Sequence, residues 1–134
     1  MTASSAAYLE IILVEYSGAG SFIDCNNGGG TAGTVTTSAI TTPSNNALLV
    51  GLVWAQGSGG LSFGSVSGGY TTRQSNSIGV IYDGAFDSLT NTAGAQTFSA
   101  SLTPTSGTYI GAVIMGFNGS AGGATRHRAY VVQH

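Results

Sequence analysis

Few residues in this chain of 134 can do chemistry, and the carboxylates come first. There are five: Glu10, Glu15, Asp24, Asp83 and Asp87. Glu10 and Glu15 interrupt the most apolar run, EIILVEY, and on a strand their spacing puts them on opposite faces. Glu10 falls with Ile12, Val14 and Tyr16; Glu15 falls with Leu9, Ile11 and Leu13. A carboxylate on an apolar face must find donors or its pKa rises. Each glutamate is therefore either an acceptor for a Tyr, an Arg or backbone amides, or a carboxylate poised for acid–base work or for holding a sugar hydroxyl. Asp83 and Asp87, in YDGAFDSLTN, form the second group. With Asn91 they offer oxygens to Ca2+. Asp-Gly is first of all a turn element, and turn chemistry is the leading expectation for the pair. Joined by a glutamate from another strand, they are also candidates for the carboxylate pair of a small glycoside or ester hydrolase.

Other catalytic groups are sparse. His127 and His134 both sit in the last residues, far from Cys25, the single cysteine. No Ser-His-Asp, Cys-His or zinc-ligand spacing results, so no cofactor is expected beyond the Ca2+ candidate. Cys25 cannot form a disulfide within the chain. It is either a half-buried small residue or a free thiol open to an intermolecular bridge. Gly28-Gly29-Gly30 lacks the lysine and the following helix of a phosphate cradle.

Aromatics suggest binding instead. Trp54, Tyr70, Tyr82 and Tyr109 are candidate stacking platforms for sugar rings, with Gln56, Gln74 and Asn76 as polar neighbours. Trp54 ends the apolar run ALLVGLVWA, where a core position is the leading expectation. Tyr70 follows Gly68-Gly69, so it is expected in a turn as an exposed platform.

The elements that must position these groups read as short strands. Tyr8–Tyr16 is near-continuously apolar, which predicts cover on both faces. Residues 17–33 read as a long glycine-rich loop, Thr34–Ile40 as a Thr-rich strand, and Pro43, Asn45 and Asn46 as a turn. Ala47–Ala55 is a second apolar strand. A pair of short strands follows, broken at Gly68-Gly69, then Ser77–Phe86, Ala95–Thr103 and Thr108–Phe117. About eight strands with no helical periodicity predict an all-β antiparallel sandwich or jelly roll over residues 1–118. Residues 119–134 hold both histidines and two of the three arginines. They read as a tail outside the core, flexible, docked on a neighbour, or foreign to the domain.

Composition narrows the class. Charged residues make up 6%, lysine is absent and the formal net charge is -2, which removes nucleic acid as a partner. With 22 glycines and abundant Ser and Thr, this balance fits an extracellular or surface-displayed β-protein, or a closely packed assembly. The opening run is too short to span a membrane as a helix. Residues 1–7 lack the basic region of a signal peptide, so an export signal is expected outside this chain.

The strings ILVEYSGAG, NNALLVGLVWAQGSGG, GGYTTRQ and TYIGAVIMGFN resemble a bacterial and phage-associated family of extracellular β-sandwich domains with a V-x-EYSG strand motif. That resemblance covers Ala6 to Asn118 and implies a non-catalytic module for glycan binding, adhesion or assembly. It names no catalytic residue. The small hydrolase and a structural subunit of a filament or shell stand as alternatives. Members of the family carry further strands before the EYSG strand, so the chain resembles the C-terminal part of a longer sandwich. Its opening strand then exposes apolar surface and unpaired backbone, which predicts a homo-oligomer, a dimer first.

Overall fold

A computed structural model describes residues 10–30, 33–57, 62–78, 80–103, 109–119 and 125–133, with side chains undescribed at Glu10, Ile11, Ile78 and 125–133. Among these residues there is no helix. There are twelve strands: β1 Glu10–Ser17, β2 Ala19–Gly30, β3 Thr34–Thr36, β4 Ile40–Thr42, β5 Leu48–Gln56, β6 Ser62–Val66, β7 Thr71–Ile78, β8 Ile81–Ser88, β9 Gly94–Gln96, β10 Ser99–Thr103, β11 Tyr109–Gly119 and β12 Thr125–Gln133. All the pairings are antiparallel. The expected all-β antiparallel sandwich is what the chain forms.

One layer is a five-stranded sheet in the order β2-β11-β5-β8-β7, and the other combines β3-β10-β6 with the small β4-β9 pair. Strand alternation builds the core between them. Leu49, Val53 and Ala55 from β5, with Ile110, Ala112 and Ile114 from β11, meet Val35, Ile40, Phe98, Ala100 and Leu102. Gly51 lies against the ring of Phe98, where an added Cβ would stand 2.5 Å from Cδ2. The expected turn before β5 is present: Asn46 adopts φ 56°, which asparagine tolerates, and the Asn45 side chain accepts from the amide of Ala93 at 2.8 Å.

Three expectations need correction. Residues 19–30, read as loop, form β2, because a ladder of backbone hydrogen bonds to β11 does not require side chains. Gly28 in fact lets the backbone of Thr36 and Thr37 approach where a Cβ would collide. Residues 34–40 are not one strand: β3 pairs with β10, and β4 with β9, and between them the amide of Ser38 donates to Asn27. The opening strand is covered on one face, not two. Ile12, Val14 and Tyr16 are half-buried, whereas Leu13 is 58% exposed and Glu15 is exposed.

That one-sidedness follows from where β1 lies. It pairs with β12 to form a two-stranded ribbon, and β1 packs against β8 while β12 packs against β7. The ribbon is thus a third layer on the outer face of the five-stranded sheet. The outer faces of β5, β11 and β2 remain beside it.

Candidate functional site

The same alternation that sends Leu49, Val53 and Ala55 inward sends Leu48, Val50, Leu52, Trp54 and Gln56 to the outer face of β5. Register places Gly111 of β11 on one side of Trp54, and Asp83 of β8, then Asn76 of β7, on the other. Trp54 is 54% exposed. Its indole leans over Gly111, where a Cβ would stand 2.5 Å from Nε1. The Nε1–Cζ2 side of the indole therefore occupies the space over Gly111, and about half of the residue is open to solvent. A glycine within an apolar strand marks close approach, and here what approaches is an aromatic ring.

Beside the indole is a cleft of about 220 Å³, lined by Ile12 of the ribbon together with Leu52, Val53, Trp54, Asp83 and Gly84. A second, apolar cleft of about 250 Å³ continues from it, with Ile12 and Leu52 common to both and Val50, Met115 and Phe117 further along. The half-sheet outside the ribbon thus presents an aromatic ring, aliphatic floor and one carboxylate.

Asp87 has a different role from Asp83. It is fully buried within β8. Its Oδ1 accepts from Arg73 Nε at 2.7 Å and lies 2.5 Å from Arg73 Nη2, and its Oδ2 accepts from the Tyr16 hydroxyl at 2.8 Å. The bond to Asp87 holds the Arg73 guanidinium pKa above its ordinary value, and burial opposes it. Arg73 sits at a bulge between Thr72 and Gln74, two residues on from Thr71, which faces Asp87 across the ladder. Tyr16 ties the ribbon to the sheet through the same carboxylate.

The expected site residues divide accordingly. Asp83 and Asp87 are strand residues, not turn residues, because the hairpin turn falls earlier, between β7 and β8. Four residues apart on one strand, their Cα atoms stand roughly 13 Å apart. The Asp87 carboxylate is already engaged by Arg73 and Tyr16 and fully buried. Glu15 is exposed on the far side of β1, so it does not join them. Asn91 is held through its Nδ2, which donates to the carbonyl of Ala47 at 2.6 Å, and its Oδ1 is buried without a partner. The three oxygen donors expected for Ca2+ are therefore not brought together, and among the described residues no group of three or more His, Cys, Asp or Glu converges.

Tyr70 is not the exposed platform its turn position suggested. It packs edge-on to Phe98 with ring centroids 5.0 Å apart, its buried hydroxyl has no hydrogen-bond partner, and burial pushes its pKa up. Tyr82 is half-buried and packs edge-on against Phe63. Gln74 and Asn76 are half-buried in β7, with the Asn76 Nδ2 buried and unpartnered. Trp54, whose leading expectation was core, is the open platform. What sequence reasoning missed was Tyr16 and Arg73 converging on Asp87. The signal present was scarcity: Arg73 is the sole cation before residue 126. Cys25 is an exposed free thiol. No helix among the described residues is long and apolar enough to cross a membrane. Comparison of the chain with protein-family models, curated proteins and solved structures finds no match to any of them.

Proposed function

We propose that this protein is a non-catalytic, extracellular or surface-displayed β-sandwich module that binds glycan on the outer face of its five-stranded sheet. One observation carries the reading: the Trp54 indole leans over Gly111 while about half of the residue stays open to solvent, and Asp83 is its register neighbour on β8. Sugar rings present a face of C–H groups to an aromatic ring and hydroxyls to a nearby acceptor, and this face offers both. A low charge content, no lysine and the resemblance to extracellular sandwich domains support the compartment. Because Trp54 is the chain's one tryptophan, its emission reports on the site alone. Added glycan is expected to shift that emission; emission unchanged across a broad glycan panel would sink the reading.

A second reading, self-association, rests on a separate observation. Among the described residues β1 pairs on one edge, with β12, and Leu13 on the same strand is 58% exposed. An unpaired strand edge beside apolar surface favours pairing with another copy. A light-scattering mass across a dilution series tests it, and a monomer at every concentration would end it.

A further inference from the structure

We infer that the glycan is an oligosaccharide whose second ring leaves Trp54 across Gly29 and enters a cleft on β2 at Asn27; this rests on the glycan-binding reading above. Behind it stands a glycine that packing does not use. Gly28 lacks a side chain because one would collide with the backbone of Thr36. No such contact holds at Gly29, where an added Cβ would meet nothing nearer than the carbonyl oxygen of Ile110 at 3.7 Å. Its φ is not left-handed, and the ladder from β2 to β11 passes through it without a bulge. A glycine inside a strand costs about 0.5–1 kcal/mol relative to alanine. With bulge and backbone contact set aside, a strand glycine marks the close approach of a ligand.

Register connects that glycine to the Trp54 platform. Gly29 faces Gly111 across the ladder, and Gly111 is the residue the Trp54 indole covers. Gly111 is buried, whereas Gly29 is exposed, so bare backbone begins where the indole ends. Tyr109, 63% exposed, stands two residues before Gly111 and on the same face. In the next row Val113 faces Asn27, and these two, with Cys25 and Asn26, line a cleft of about 230 Å³. Neighbouring strands lie about 4.8 Å apart, so Asn27 on β2 is about 10 Å from β5, one strand beyond the indole. A ring seated on the indole does not reach that far; the next ring of the same chain does. Asn27 is exposed, and its amide both donates and accepts, as sugar hydroxyls require. In the opposite direction the ribbon stands on β8, and its Ile12 lines the cleft beside Trp54, so the open way along the sheet is towards β2.

Cys25 is the chain's single cysteine and an exposed thiol, so it reports on this cleft as Trp54 reports on the platform. The test follows Trp54 emission and the rate of Cys25 alkylation by iodoacetamide on the full chain. The probes are cellohexaose, mannohexaose and chitohexaose, with glucose, mannose and N-acetylglucosamine as their single-ring counterparts. A hexasaccharide that shifts the emission is expected to slow alkylation severalfold, and its single sugar to leave alkylation unchanged. Gly29→Val, whose urea midpoint should not fall below the wild-type value, is expected to weaken that hexasaccharide by about tenfold. If a hexasaccharide shifts the emission while alkylation keeps its unliganded rate, or binds Gly29→Val as tightly as wild type, the subsite on β2 is overturned while glycan binding at Trp54 stands. If the single sugar slows alkylation as much as the hexasaccharide, the oligosaccharide class is overturned. If none of the six shifts the emission, this inference fails. Whether the glycan reading fails with it is then read from a broader set of glycans by Trp54 emission.

Discussion

The indole of Trp54 occupies the space that a side chain at position 111 would need: a Cβ added to Gly111 would stand 2.5 Å from Nε1 and 2.6 Å from Cε2. A tryptophan at a sheet's outer face normally stands away from it. Glycine on the neighbouring strand leaves the room that this ring leans into. Gly111→Ala is therefore expected to lift the ring into water, shifting its emission to the red and weakening glycan binding by about tenfold. Stability should change by less than about 1 kcal/mol, since the ring is already half in water and alanine suits a strand better than glycine. Emission and affinity both at wild-type values in Gly111→Ala would contradict the platform geometry.

Asp87 carries no exposed surface and has Arg73 and Tyr16 as partners, which predicts an order of damage. Removing Arg73 leaves a buried carboxylate with too few donors, expected to cost about 3 kcal/mol, the low end for a broken buried pair because Arg73 is 21% exposed. Tyr16→Phe removes one hydrogen bond to a charged group, about 1.5–2 kcal/mol, and loosens the ribbon whose Ile12 lines the Trp54 cleft. Urea unfolding of both variants checks the order. A Tyr16→Phe loss larger than that of Arg73→Ala would contradict the assignment.

Tyr70 predicts the alkaline behaviour. Its hydroxyl is buried and unpartnered, and burial raises its pKa in the folded chain. In the unfolded chain it ionises near ~10. Below that pH both states hold the proton and the group contributes no slope. Above it the unfolded state alone ionises, so stability falls as pH rises. Tyr70→Phe is expected to flatten that fall and, by removing a buried hydroxyl with no partner, to raise stability at neutral pH by about 1 kcal/mol. Thermal unfolding from pH 7 to 11 on both proteins is the check; an equally steep fall in the variant would place the sensitive group elsewhere.

Self-association through the edge of β1 that is unpaired among the described residues predicts that Leu13→Ser lowers the mass in solution without unfolding the sandwich, because Leu13 is not part of the core. Light scattering at matched concentrations reads this directly. Wild-type and variant of equal mass would remove β1 as the contact.

The architecture was legible where side chains make it. Leu48 to Gly51 are buried on both faces, as a near-continuous apolar run predicts, Phe98 and Leu102 point inward as their spacing predicts, and Asn45 and Asn46 form the turn that their chemistry suits. It was illegible where backbone alone does the pairing, since DCNNGGG in β2 looks like a loop and yet forms a continuous ladder with β11. The site was half legible. Trp54 was on the right face by alternation, but whether an outer face is covered depends on which strands the ribbon overlies. Tyr70 misled because a turn position implies exposure, and here the side chain folds back onto Phe98. The Tyr16–Asp87–Arg73 chain joins residues far apart in sequence, and no local pattern announces it.

The most direct test of the central claim is a glycan array probed with the wild-type protein and with Trp54→Ala, the two first matched for urea midpoint. The account predicts that the wild-type protein binds a subset of the glycans and that Trp54→Ala, equally folded, binds none of them. Equal binding by the two proteins, or no binding by the wild-type protein, would contradict it.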